Sequence, residues 1–377
     1  MSEYLKRYTG VLTLHGPVFI GSGRELTKKE YVFTDNTRAE VGVLDVAEFY
    51  MLLKNKKLDQ QYEDFLLRDK KRDLFSWLRE VGISVREIKE AKCFKYTLPM
   101  GEPDSERAKW TVMETMKDPY GKPYIPGSSI KGMLRTVILT GRIASGELPR
   151  EMICEFMDHV RKGSGGRNWF LRDDIRNIEA ELFNTLYNNE RKKEDAVNDS
   201  MSGFIVTDSR PVKTSDLVLC PKVDSQTDGG DKRINILREC IKPGTEIKFG
   251  ITIDETKCKE TVTSIMGAVE SFDKVYSECF LNAFKRHDNL PERAVFIGGG
   301  CGYVSKTIVY PMLGKQEGIK SVRTIFEKTN VPREHKHNRD VEYGAAPHIL
   351  KETIIDGMHY QMGLCSLTIK ERKKKEV

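Results

Sequence analysis

The stretch from Pro119 to Arg142, P-Y-G-K-P-Y-I-P-G-S-S-I-K-G-M-L-R-T-V-I-L-T-G-R, has two halves that cannot share one structure. Prolines at 119, 123 and 126 and a glycine at 121 break regular structure as far as Gly127. Beyond it, Ile130, Met133, Leu134, Val137 and Ile138 recur at helical spacing, so the pattern predicts a helix with one apolar face. Ser128 or Ser129 is the expected N-cap, and Gly141 the expected C-terminal stop. No acid occurs between Gly127 and Ser145, yet Lys131 stands in the first turn and Arg135 one turn later. A cation there opposes the helix dipole, by a few tenths to about 1 kcal/mol. An anion held by Lys131, Arg135 and the amides of Ser128 and Ser129 would remove that conflict. The plain alternative is a solvated basic face on a core helix.

Composition narrows the partners. The chain has 377 residues, a formal charge of +6 and 31% charged residues of both signs. That excess admits a polyanionic partner without demanding one. The eight cysteines form no C-x-x-C pair and no signal peptide precedes them, so reduced thiols in a cytoplasmic protein are expected. No apolar run nears the ~20 residues of a membrane-spanning helix, and no membrane partner is expected.

Residues 8–20 read as a strand that exits into Gly21-Ser22-Gly23-Arg24, a glycine-rich loop with a cation. Residues 29–44 read as a hairpin, and Asp45 as the cap of a helix with Glu48 in the capping-box position. Helical patterns run on to Gly82, followed by a strand C-F-K-Y-T-L. From Gly141 to about Ser200 the chain reads as charged helices, with an exposed linker over 188–199. A strand is expected at 202–208, then a long hairpin within 210–243 whose tip carries Lys232 and Arg233. A strand at 244–253, a helix at 259–286 and a strand at 294–310 follow, the last running through Gly298-Gly299-Gly300-Cys301-Gly302. A polar segment with H-K-H-N-R, a further helix, a strand at 363–369 and a basic tail K-E-R-K-K-K close the chain.

Without its insertions the order is β-α-β-β-α-β, which predicts an α+β, modified ferredoxin-like (RNA-recognition-motif-like) core. Expected boundaries are a core over 1–312, with insertions at about 24–118, 145–200 and 211–243, and a C-terminal extension over 313–377. Three glycine-rich segments with adjacent cations suggest a surface that a polyanion backbone can approach closely.

No catalytic constellation stands out, and neither a cofactor nor a metal is expected. G-C-G-Y-V-S-K-T at 300–307 falls one residue short of a phosphate-binding loop, because Ser305 replaces the required glycine. T-I-V-Y-P also follows it, β-branched and stopped by proline, where a helix should begin. His335-x-His337 lacks a third ligand at helical or C-x-x-C spacing and reads as a solvated loop. His15 and Asp208, on strands, read as structural. The stacking aromatics of a standard RNA-recognition motif are missing, so RNA contact would rest on backbone and shape.

The stretch I-P-G-S-S-I-K-G-M-L-R, the V-F-I-G-S-G start and G-G-G-C-G-Y-V-S-K-T together resemble the RAMP superfamily of CRISPR proteins. In order and spacing they are most similar to the fifth Csm subunit of type III-A effector complexes, over about Gly10 to Tyr310. The resemblance implies a structural RNA-binding subunit without its own active site. It would cap the 3′ guide end of the crRNA, abut the repeated backbone subunit and the small helical subunit, and support crRNA maturation. Target RNA and host nucleases are further partners that such a role admits. The RNA-binding residues it points to are Gly21, Ser22, Gly23, Arg24, Ser128, Ser129, Lys131, Arg135, Gly298, Gly299, Gly300, Gly302, Ser305 and Lys306. Lys222, Lys232 and Arg233 join them because their segment resembles the thumb hairpin of RAMP backbone subunits. The rival readings are a RAMP endoribonuclease acting on precursor crRNA, with His15 as first suspect, and a RAMP subunit of a type III-B complex.

Overall fold

The computed structural model describes residues 4–69, 71–103, 111–166, 169–186, 192–332, 335 and 337–372. Its first quarter holds strands β1 (Leu5–Leu14), β2 (Gly21–Leu26), β3 (Tyr31–Phe33) and β4 (Glu40–Leu44). Helices α1 (Val46–Asn55), α2 (Asp59–Arg68), α3 (Leu74–Glu80) and α4 (Val85–Glu90) follow, then β5 (Phe94–Pro99) and β6 (Thr111–Thr115). The middle comprises α5 (Gly127–Ala144), α6 (Arg150–Lys162), α7 (Arg172–Phe183), β7 (Phe204–Val206), β8 (Leu217–Gln226), β9 (Asp231–Ile241) and β10 (Glu246–Asp254). Helix α8 (Val262–Cys279), β11 (Ala294–Phe296), α9 (Val309–Lys328) and α10 (Asp340–Tyr343) lead to β12 (Ile349–Ile355), β13 (Met358–Gln361) and β14 (Leu364–Glu371).

The mixed α+β class holds. The first sheet has the order β11-β14-β1-β10-β7. Both β14 and β10 run antiparallel to β1, and β7 runs antiparallel to β10. Read as β14-β1-β10-β7, this is consistent with the fourth-first-third-second order of a ferredoxin-like core. The fourth place goes to the last strand of the chain, with Leu12 opposite Leu367, and not to 294–310. Of that expected strand only Ala294–Phe296 forms, as an edge paired to β14. T-I-V-Y-P then opens helix α9, because Pro311 falls in its first turn, where a missing N–H costs nothing.

Helices α5 and α8 cover the core face of this sheet. Ile130, Leu134, Val137 and Ile138 are buried as the periodicity required, together with Ile265, Val269, Phe272 and Tyr276. Gly141 does not end α5; it lies inside the helix, where a Cβ would sit 2.6 Å from Ala268 of α8, so it serves as the crossing point. Residues 29–94 carry a separate apolar cluster, with Phe49, Tyr62, Phe65 and Trp77 in mutual ring contact. Asp45 caps α1 as read, accepting from the amides of Ala47 and Glu48.

The second sheet, β13-β12-β8-β9-β6-β2, departs further from expectation. The β8/β9 hairpin exists, but its strands form the middle of this sheet. Strand β6, absent from the sequence reading, pairs in parallel with β9. The segment expected as an extension supplies β14 to the first sheet and the β12/β13 hairpin to the second, and its helices are most of α9 and the short α10. Within the expected linker, Asn198 is buried and Asp199 faces α5. Residues 188–191 of that linker and 373–375 of the basic tail lie outside the described residues.

Candidate nucleic-acid interface

Helix α5 sorts its side chains by face. On one side, the missing acids arrive from elsewhere in the chain. Asp208 Oδ1 accepts from the Gly127 amide at 2.7 Å and so caps the helix in place of Ser128 or Ser129. Lys131 Nζ donates to the Met201 carbonyl at 2.7 Å, and burial holds its ammonium below the usual lysine range. Arg135 binds Glu179 at 3.0 Å and Asp199 at 2.7 Å with its guanidinium over the Phe183 ring. Arg142 pairs with Glu260 at 2.6 Å. The cationic face packs on α7 and the 199–201 turn, and its charge is balanced within the protein. The observation that motivated an anion between Lys131 and Arg135, a face without acids, does not survive folding.

On the other side, Ser129, Gly132, Met133, Thr136 and Val137 open onto a groove of about 330 Å³. Gly21, Gly298, Gly299, Ser305 and Lys306 line the same groove over a floor of Phe272 and Phe296. Three segments separated by more than a hundred residues each therefore meet here, as their common composition suggested. Gly298 must be glycine: its φ is +93°, and a Cβ would lie 2.3 Å from the Phe19 carbonyl oxygen. The Gly299 amide donates to that same carbonyl at 2.7 Å, which pins the loop to the chain just before β2. Lys306 is exposed at the rim, its Nζ donating to the Gly298 carbonyl at 2.8 Å. Ser305 is buried, and its hydroxyl serves the carbonyls of Cys301 and Gly302.

The remaining expected residues do not line this groove. Gly21-Ser22-Gly23-Arg24 is not a loop but the start of edge strand β2, bulged between Gly21 and Glu25. Ser22 Oγ donates to the Glu114 carbonyl at 3.2 Å, and Arg24 pairs with Glu30 at 2.5 Å. Gly300 and Gly302 carry the loop away from the groove and over the second sheet. A Cβ at Gly300 would meet Arg238 Nη1 at 2.8 Å, and one at Gly302 would meet Lys351 Cγ at 3.4 Å. Lys222 belongs to the same patch. Burial lowers its pKa, Lys351 and Arg238 add repulsion, and Asp224 opposes them. Lys351 is paired to Asp224 at 2.8 Å. Lys232 and Arg233 stand just past the β8/β9 turn, and Arg233 is paired with Glu102.

Arg238 is the residue that the sequence did not reveal. Among the described residues no carboxylate pairs with it, and its Nε is buried without a hydrogen-bond partner. Its guanidinium lies 5.6 Å from the Phe19 ring centroid, beneath the glycine loop. In the strand I-L-R-E-C nothing marks it out; its place between β6 and β8, opposite Met113 and Cys220, sets it there. His15, the first suspect of the endoribonuclease reading, has its Nε2 3.0 Å from Ser366 Oγ, and Asp208 caps α5.

The class of protein comes from the family comparison. The chain belongs to the RAMP superfamily, whose family model matches residues 11–305. Its curated relatives include proteins named CRISPR system Cms protein Csm5. That of Mycobacterium tuberculosis (strain CDC 1551 / Oshkosh) is 29% identical over 98% of this chain and 99% of its own length. That of Streptococcus thermophilus is 25% identical over 81% of each chain. Among solved structures, one similar chain belongs to a cryo-EM structure of a Csm-crRNA-target RNA ternary complex of a type III-A CRISPR-Cas system. It is 19% identical, with a TM-score of 0.62, over 96% of this chain and 100% of that one. The crystal structure of T. onnurineus Csm5 is 18% identical with a TM-score of 0.58, over 94% of this chain and 99% of that one. Among the described residues no helix is long and apolar enough to cross a membrane.

Proposed function

We propose that this chain is a non-catalytic, RNA-binding subunit of a type III-A CRISPR effector complex that holds the 3′ guide end of the crRNA and supports its maturation. The observation that carries the reading is the convergence of three glycine-bearing segments on one groove. Lys306 stands at its rim, and Arg238 lies under Gly300 without an acidic partner. Glycines let a sugar–phosphate backbone come close, and the two cations supply the attraction without reading bases. The Csm5 names of the relatives, and the Csm-crRNA-target RNA complex that holds a similar chain, favour this assignment over a type III-B one. Neighbours in the assembly would be the repeated backbone subunit and the small helical subunit.

Binding through phosphates has a measurable signature. Filter binding of the purified chain to single-stranded RNA should show little sequence preference and steep salt dependence. Each phosphate neutralised on a single strand contributes about −0.7 to the slope of log K against log salt, so three or four contacts give about −2 to −3. A flat salt response contradicts the proposal.

A further inference from the structure

The connector between α9 and β12 brings His337, which the sequence placed in a solvated loop, beside a second histidine, His348. His337 precedes Asp340, the first residue of α10, and His348 immediately precedes β12. Asp340 is fully buried, with His337 at 9% and His348 at 6% exposure. His337 Nδ1 lies 3.2 Å from Asp340 Oδ2, and His348 Nδ1 lies 2.5 Å from Oδ1. The ring of His335 is stacked on that of His337 at 5.9 Å. Phe326 and Tyr343 wall the cluster, each with its ring centroid 4.7 Å from an imidazole. Among the described residues no lysine or arginine reaches Asp340. A buried carboxylate without a cationic partner is costly, so something must balance its charge.

We propose that His337, Asp340 and His348 bind one divalent cation of the zinc class, which pins the connector to the core. Two imidazole nitrogens and a carboxylate form a donor set suited to zinc, whereas magnesium and calcium take oxygen ligands. Ligands of a tetrahedral zinc with bonds of about 2.05 Å stand about 3.3 Å apart. The His337–Asp340 separation already matches, and the His348 contact has to open by less than an ångström. The sequence reading missed the set because His348 lies across α10 and the third ligand is an aspartate three residues on, not a cysteine. The other nearby grouping, Asp231, Glu352 and His359, differs in that Arg286 already pairs with Asp231.

The test uses the untagged full-length chain, expressed with zinc and desalted. Elemental analysis should find about one zinc per chain. Chelator treatment should lower the melting temperature, with zinc but not magnesium restoring it, and cobalt(II) should give the visible absorption of a tetrahedral site. Asp340→Asn, nearly isosteric, and His348→Ala should each weaken zinc binding by at least ~10-fold in competition with a chromophoric chelator. A His359→Gln control should retain the metal. If either ligand variant fails to fold, the zinc titration of the chelated wild type still decides. A zinc-free chain whose melting temperature ignores added zinc, or a His348→Ala chain with wild-type zinc content, overturns the proposal. Both readouts are independent of RNA binding.

Discussion

Replacing Lys117 with methionine is expected to destabilise the protein by about 3–5 kcal/mol, the typical result of stranding one member of a buried ion pair. Lys117 Nζ lies 2.5 Å from Glu239 Oε2 and 3.0 Å from Glu114, and the Glu239 side chain is 0% exposed. The Tyr96 hydroxyl donates to Glu239 Oε1 at 2.7 Å, and the Thr115 amide donates to Oε2 at 3.1 Å. Burial, with the adjacent Glu239 charge, holds the Tyr96 phenol far above its usual range, so it stays a donor. This network ties β5, β6 and β9 together, and with them the helical insertion to the second sheet. Chemical denaturation measures the effect. A Lys117→Met/Glu239→Leu double variant should regain part of the loss, because the Glu239 charge is gone and Glu114 keeps Arg24 as its cation. A single-variant cost below about 1 kcal/mol, the range of exposed pairs, contradicts a buried network.

The second large effect concerns RNA. A Lys306→Ala/Arg238→Gln variant is expected to bind single-stranded RNA roughly 100-fold more weakly. Two charge-assisted contacts at about 1.5 kcal/mol each amount to two decades. The salt slope should flatten by about 1.4, twice the contribution of one phosphate. The contrasting variant is Lys131→Ala/Arg135→Ala. Its cations are engaged by Met201, Glu179 and Asp199, so it should keep RNA affinity while its melting temperature falls. The opposite pattern, lost affinity with Lys131→Ala/Arg135→Ala and none with the groove variant, would move the RNA to the other face of α5.

That contrast shows where sequence reasoning reached and where it stopped. Apolar periodicity found the buried stripe of α5, and glycine content found the segments that meet at the groove, because both are local properties of composition. The balance of charge on α5 is not local: Glu179 and Asp199 lie 44 and 64 residues from Arg135, so a helix without acids looked electrostatically unsatisfied. The strand expected at 363–369 forms as Leu364–Glu371, but its place beside β1 depends on pairing across most of the chain, and no local pattern encodes a partner. Proline in T-I-V-Y-P reads as a stop from its type alone, whereas its position in the first turn of α9 makes it a start. Arg238 and Lys351 gained their meaning only from the sheet that sets them under the glycine loop.

The most direct measurement is site-resolved crosslinking in a reconstituted type III-A complex. The crRNA would carry 4-thiouridine at one position at a time. Crosslinks from the 3′ guide end should fall on peptides spanning Ile297–Lys306 and Gly127–Thr136 of this subunit, and they should fade in the Lys306→Ala/Arg238→Gln complex. Crosslinks to this chain only from the 5′ end of the crRNA, or from 3′ positions onto the α6 and α7 surface with the groove untouched, would contradict it.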